Sequence, residues 1–256
     1  MPDKSYIRSI MNVVFHAIAY TFKYVPGASV FEIGPLRGYH YEQPIWWETD
    51  AFQAFDVEPE KVIETIRDYR PGPHLIGVLT TDPKGIIPSY AELGYKTVPS
   101  EPLETVMTRS LKDSVFGKEC HAVQLVQTEQ QRQFYNSVID TDDPYGQMRP
   151  EELEDPMLRY YYVEKDGKCV CNGKAILPFK TAVNVEPLGT HPDYRRRGIA
   201  TALMNRLHAD AEKSGVEQSV IVATAMGVSL YRTLGYQAIA CIQKFVPKDW
   251  NRADYS

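Results

Sequence analysis

Three consecutive arginines and a glycine, Arg195-Arg196-Arg197-Gly198, stand just ahead of an amphipathic run over residues 201–213. Sequences normally favour carboxylates at that place, because aligned peptide dipoles leave the start of a helix partly positive. Cationic side chains stacked there imply an anion supplied from outside. The first N–H groups of a helix have no partner within it, and a glycine without Cβ lets a phosphate come close to the main chain. The segment 188–200, from Leu188 through Thr190, His191 and the arginines to Ile199 and Ala200, is therefore the candidate anion cradle. His121, His191 and His208 show no metal-ligand spacing, so surface or capping roles are expected for them and no metal is expected.

The cradle needs a strand before it and a helix after it. Residues 181–190 read as the strand, and residues 198–214 as the helix, with Ile199, Leu203, Met204, Leu207 and Ala211 on one face and Gly215 as its cap. Residues 218–224 read as the next strand, which makes a parallel pair inside a mixed sheet. Upstream, strands are expected over 120–127, 158–164 and 168–179 and a helix over 128–139, with Lys165-Asp166-Gly167 as a turn.

An internal echo relates Ser89-Tyr90-Ala91-Glu92-Leu93-Gly94-Tyr95-Lys96 to Leu230-Tyr231-Arg232-Thr233-Leu234-Gly235-Tyr236-Gln237. Each copy follows an apolar run, 74–80 or 218–224, and before that a helix candidate, 58–69 or 198–214. The shared order predicts a tandem of related halves, residues 1–115 and 119–256, with the boundary in 111–119. Only the second half carries the glycine. The corresponding place in the first, Phe52 to Glu60, has no glycine and bears Asp56, Glu58 and Glu60, which repel a phosphate. The first half is expected to buttress the second or shape its cleft, with Tyr90 structural. The aromatic run 39–47, ending in Trp46-Trp47, suits either an interface or a pocket wall.

Composition sets the frame. The chain has 256 residues, 43% hydrophobic, with a formal charge of −5 and no basic face beyond the arginines, which argues against a nucleic-acid partner. The N-terminal apolar stretch 9–22 is too short to span a bilayer, and Ile7, Ile10, Met11, Val14, Phe15 and Ile18 fit a core-docked helix, so no membrane partner and a cytoplasmic location are expected. Cys120, Cys169, Cys171 and Cys241 lack disulfide or zinc spacing and read as reduced core residues; on a regular strand Cys169 and Cys171 would share one face.

With these elements in place, the second half resembles the GCN5-related N-acetyltransferase (GNAT) superfamily. The resemblance rests on Arg195-Arg196-Arg197-Gly198-Ile199-Ala200 after a strand and a His-Pro-Asp-Tyr turn, and on Tyr231-Arg232-Thr233-Leu234-Gly235-Tyr236 downstream. It covers about residues 119–256. It implies an α+β fold, a twisted mixed sheet flanked by helices, with the first half a partial version of the same. It also implies acetyl-CoA as co-substrate, held by the N–H groups of Arg195, Arg196, Arg197, Gly198, Ile199, Ala200 and Thr201, with pantetheine along the main chain of Leu188 and Thr190. The strands ending near Thr190 and Thr224 should splay. Thr224 replaces an asparagine frequent in the family.

The same resemblance implies transfer of acetyl to a primary amine by direct attack in a ternary complex, with Tyr231 as the acid for the departing thiolate. The family's glutamate position aligns with Asn184, which cannot take a proton. Glu186, on the same strand face, is the candidate base or water-orienting residue, or else a salt-bridged structural glutamate, and Pro187 beside it suggests a bulge. The acceptor is a small-molecule amine or a peptide or protein amine; the oligomeric state is open. Asp140, Asp142, Asp143, Glu151, Glu152, Glu154 and Asp155 form either a surface attractive to a cationic amine or a solvated loop. The rival readings are a non-catalytic acyl-CoA sensor or scaffold, and a purely structural turn.

Overall fold

The computed structural model describes residues 2–250 apart from 46–47, 71, 100–102, 113, 115–120, 138–146 and 180–181. Helix α1 (Lys4–Thr21) opens the chain, followed by the antiparallel meander β1 (Ala28–Ile33), β2 (Leu36–Ile45) and β3 (Glu48–Phe55). Then come α2 (Pro59–Tyr69), β4 (His74–Thr80), α3 (Ile87–Glu92), β5 (Tyr95–Thr97) and β6 (Leu103–Ser110). After β7 (Val123–Leu125) and α4 (Glu129–Asn136), the order repeats. The meander β8 (Leu158–Lys165), β9 (Lys168–Phe179), β10 (Ala182–Thr190) leads to α5 (Ile199–Lys213), β11 (Gln218–Ala223), α6 (Val228–Thr233) and β12 (Gln237–Pro247).

All twelve strands join one curled mixed sheet in the order β1-β2-β3-β4-β12-β6-β11-β10-β9-β8-β7, with β5 beside β12. Among the described residues, only β3/β4 and β10/β11 pair in parallel. The last strand of each repeat is exchanged: β6 pairs with β11 from Ser110↔Gln218 to Thr105↔Ala223, and β12 pairs with β4 from Thr80↔Cys241 to Ile76↔Phe245. Along the centre β6 and β12 also pair with each other. Arg109 of β6 thereby reaches His208 of α5, Nη1 to Nδ1 3.4 Å.

Alternation along the strands sends side chains to two layers. One face of the second repeat packs Ile221 and Ala223 under Leu203, Met204 and Leu207 of α5, and Phe52, Ala54, Ile76 and Val78 likewise lie under Val62, Ile63 and Ile66 of α2. The opposite face carries α1, whose Ile7, Ile10, Met11 and Val14 meet Leu79, Val106, Val220 and Ile239 from four central strands. Further along α1, Phe15 meets Tyr39 and Tyr41, and Ala17 joins Tyr160 and Tyr162. No described helix is long and apolar enough to cross a membrane.

Two expectations change here. Cys169 and Cys171 face opposite layers, because the β8/β9 register slips between Val163↔Cys171 and Glu164↔Cys169, and one extra residue inverts the alternation. His208 is neither on the surface nor a cap: it is fully buried in α5, where its Nε2 meets the Tyr236 hydroxyl at 2.7 Å. The acids ahead of β8 also behave unevenly. Glu152 accepts from Tyr160 Oη at 2.7 Å, and Asp155 accepts from Tyr20, Tyr24 and Lys23, so both face inward; Asp140, Asp142 and Asp143 lie outside the described residues.

Candidate active site

β10 and β11 begin side by side, Ala182↔Gln218, Val183↔Ser219 and Asn184↔Val220, and then part. β11 continues along β6 to Ala223, and β10 turns away along β9 after a shift between Val185 and Leu188 that spans Pro187. That extra residue is the bulge the proline suggests. Beyond it the two strands present unpaired edges to each other. In the first repeat the matching strands stay closed, with six successive pairs from Asp50↔His74 to Phe55↔Leu79.

The gap opens into a cleft of about 570 Å³. Leu188, Thr190, Arg195, Arg196, Gly198, Ile199, Ala200 and Thr201 line one side, and Thr224, Met226, Gly227 and Tyr231 the other. Every proposed contact residue named from the sequence is therefore on its wall except Arg197 and Glu186. Glu186 lies on β10, and its side chain is outside the described residues.

The cradle is built by two residues in left-handed conformation, Arg196 at φ +58 and Gly198 at φ +76. Gly198 starts α5 with no side-chain cap, and the first bond of the helix is Ala202 N–H to Gly198 O at 3.0 Å. The N–H groups of the first turn are thus left facing the cleft, as a phosphate site requires. The three arginines divide the work. Arg195 Nε donates to the Thr190 carbonyl at 3.0 Å, and its own N–H is taken by Pro192 O at 3.2 Å, so its amide is already engaged within the turn. Arg197 donates to Asp193 O at 2.8 Å and stacks on Tyr194, bracing the turn from outside. Arg196 faces the cleft. His121 Nε2 donates to Arg197 O at 2.9 Å, and the Tyr194 hydroxyl donates to Asp166 in the β8–β9 turn at 3.1 Å, so the turn is anchored at both ends.

Tyr231 stands across the cleft, nine-tenths buried on α6. Its ring meets Tyr236 edge-on, centroids 5.6 Å apart. Gly227 makes room for it: a Cβ there would come within 2.9 Å of Tyr231 Cε2. Gly235, at φ +84, turns the chain so that Tyr236 can enter the core behind it. Tyr236 Oη bonds both His208 Nε2 at 2.7 Å and Ser219 Oγ at 2.6 Å. Burial holds His208 neutral, its pKa pushed down to about 3, and pushes the Tyr236 hydroxyl up. This buried network fixes the platform on which Tyr231 rests, and sequence reading did not reveal it. Exposed Met226 at the mouth was also missed; a lone methionine in a turn gives no periodic signal.

Residues 157–238 match the model of the acetyltransferase (GNAT) domain. An uncharacterized N-acetyltransferase of Methanocaldococcus jannaschii is 30% identical over 102 residues, which cover 36% of this chain and 43% of that protein. This chain therefore spans less than half the length of the curated relative it matches. Among solved structures, a GCN5-related N-acetyltransferase from Kribbella flavida superposes with a TM-score of 0.64 at 18% identity, over 94% of this chain and 98% of that one. A tandem GNAT protein from the clavulanic acid biosynthesis pathway superposes with a TM-score of 0.55 at 12% identity, over 86% and 83%. Residues 157–238 are thus similar to a GNAT acetyltransferase domain, and the whole chain shares the fold of solved GNAT structures.

Proposed function

We propose that this chain transfers acetyl from acetyl-CoA to a primary amine by direct attack in a ternary complex. The observation that carries the reading is the parting of β10 from β11 beneath an uncapped helix start. Such a slot admits an extended chain between two free strand edges while its diphosphate meets unpaired N–H groups and Arg196. The fit favours acetyl-CoA as co-substrate.

The chemistry then follows from the walls. A neutral amine attacks the thioester carbonyl carbon, the C–S bond breaks, and the sulfur leaves as a thiolate. Tyr231 supplies the thiolate's proton, and the amine's surplus proton goes to Glu186 or to a water that it orients. General acid–base help of this kind contributes about 10²–10⁴ in rate. The acceptor class is any primary amine, on a small molecule, peptide or protein, and the inward-facing Glu152 and Asp155 weaken the case for a strongly cationic one. We further assign residues 1–115 and 119–256 as a tandem pair in a cytoplasmic protein, the first copy having kept its β3/β4 slot shut.

The test is turnover of acetyl-CoA by purified protein with an amine panel, alongside calorimetry with CoA. Consumption that depends on an amine and on Tyr231 supports the transferase. Tight CoA binding without transfer to amines, peptides or hydroxylated acceptors would make the chain an acyl-CoA sensor or scaffold instead.

A further inference from the structure

A second cavity, about 270 Å³, lies on the other side of the molecule between α1 and the first repeat's sheet. Its floor is apolar, made by Met11, Leu36, Leu79 and Ile242. Two guanidinium groups line its wall, and neither has a carboxylate within ion-pair distance among the described residues. Arg37 of β2 is half-buried; Nη1 donates to Asn12 Oδ1 at 2.5 Å, Nε donates to Gln53 Oε1 at 3.3 Å, and the group lies over the Phe15 ring, 4.5 Å from its centroid. Its Nη2 has no protein partner among the described residues. Arg8, one turn before Asn12 on α1, stacks on Phe55 at 4.9 Å.

This is an unusual place to leave a cation. The hydrogen bonds of this partly desolvated guanidinium go to neutral amides, and Glu32, its cross-strand partner in β1, attracts it only from beyond ion-pair distance, so burial still pulls the Arg37 pKa down. Its remaining N–H groups form the planar fork that carboxylates match. Glu32, exposed on the rim, sets the opposite limit, since it repels a dianion such as phosphate. The volume sits just under the usual range for small-molecule sites, about 300–1,000 Å³.

We propose that this cavity binds a small organic monoacid, its carboxylate held by Arg37 and Arg8 and its hydrocarbon body laid on Met11, Leu79 and Ile242. The site is independent of the acetyl-transfer cleft and does not rest on that reading.

Calorimetry on the full chain tests it, with benzoate, phenylacetate and 3-methylbutanoate as probes, and with benzamide and inorganic phosphate as neutral and dianionic controls. At least one acid should bind at a single site, about tenfold or more tighter than either control. Saturating CoA should leave that affinity unchanged, which separates this cavity from the cleft. Arg37→Gln and Arg8→Gln should each weaken the acid by about tenfold. Arg8 is exposed on its helix, so Arg8→Gln carries the test even where Arg37→Gln loses the fold. No binding by any of the acids, equal binding by benzamide or phosphate, displacement by CoA, or an unchanged affinity in Arg8→Gln would each overturn the proposal.

Discussion

Asn184 meets Val220 as the final pair between β10 and β11, and beyond it neither strand replaces the other. The separation is enforced from both sides. β11 is held by six pairs to β6, and β10 is drawn off by its bulge against β9. The cleft is therefore preformed, and a ligand entering it has little backbone ordering to bear.

Tyr231→Phe separates chemistry from binding. The ring keeps its contact with Tyr236, so the fold and CoA affinity should stay near wild type while turnover falls by about 10²-fold or more. Steady-state rates with the best amine, beside CoA calorimetry, read both quantities. An unchanged rate would remove Tyr231 from the acid role.

Gly198→Glu places a carboxylate and a Cβ at a left-handed position on the wall of the cleft proposed to hold the CoA diphosphate. Strain of about 1–2 kcal/mol for a side chain in this conformation adds to charge repulsion. CoA affinity should drop by about a hundredfold; calorimetry showing no change would mean that the cradle holds nothing.

The division among the arginines predicts an order. Arg196→Gln should weaken CoA by about tenfold and flatten the salt dependence of binding. Arg197→Gln, which removes a brace rather than a contact, should change affinity by only about twofold and lower the melting temperature instead. Equal losses of affinity in the two variants would contradict the placement.

His208 makes stability depend on pH with a definite sign. Its folded pKa lies near 3 against an ordinary 6.5, so below 6.5 the unfolded chain binds a proton that the folded chain refuses. Its contribution is complete above pH 6.5 and is lost progressively as pH falls towards 3. His208→Gln should keep a bond to Tyr236 and remove about 1.4 kcal/mol per pH unit from the slope of stability between pH 6 and 4. Denaturant melts across that range measure it; parallel slopes in wild type and variant would count against the assignment.

Periodicity was a good guide where one element buries one face. Residues 74–80 and 168–179 are strands with the expected ends, and the helix from Ile199 carries its apolar stripe on the expected residues. The meander β1–β3 escaped notice because its strands mix tyrosine, histidine and glutamate on both faces, as in Tyr39-His40-Tyr41-Glu42, which blurs the two-residue period. β6 went unread because Leu103–Ser110 sets Val106 and Met107 side by side and buries three successive residues, so it shows no two-residue period. Its place between β11 and β12 was out of reach, since pairing partners far apart in sequence leave no local mark. At the site, Gly198, Arg196 and Tyr231 were legible through spacing, whereas the His208–Tyr236–Ser219 network joins three elements and has no spacing to see.

The exchange of β6 and β12 has a consequence for synthesis on the ribosome. β4 is made early, yet the strand that covers its free edge, residues 237–247, emerges only after the whole second repeat. The first repeat must therefore wait with an open hydrogen-bonding edge until the second has passed the exit tunnel, so the two repeats reach their native state together rather than one after the other.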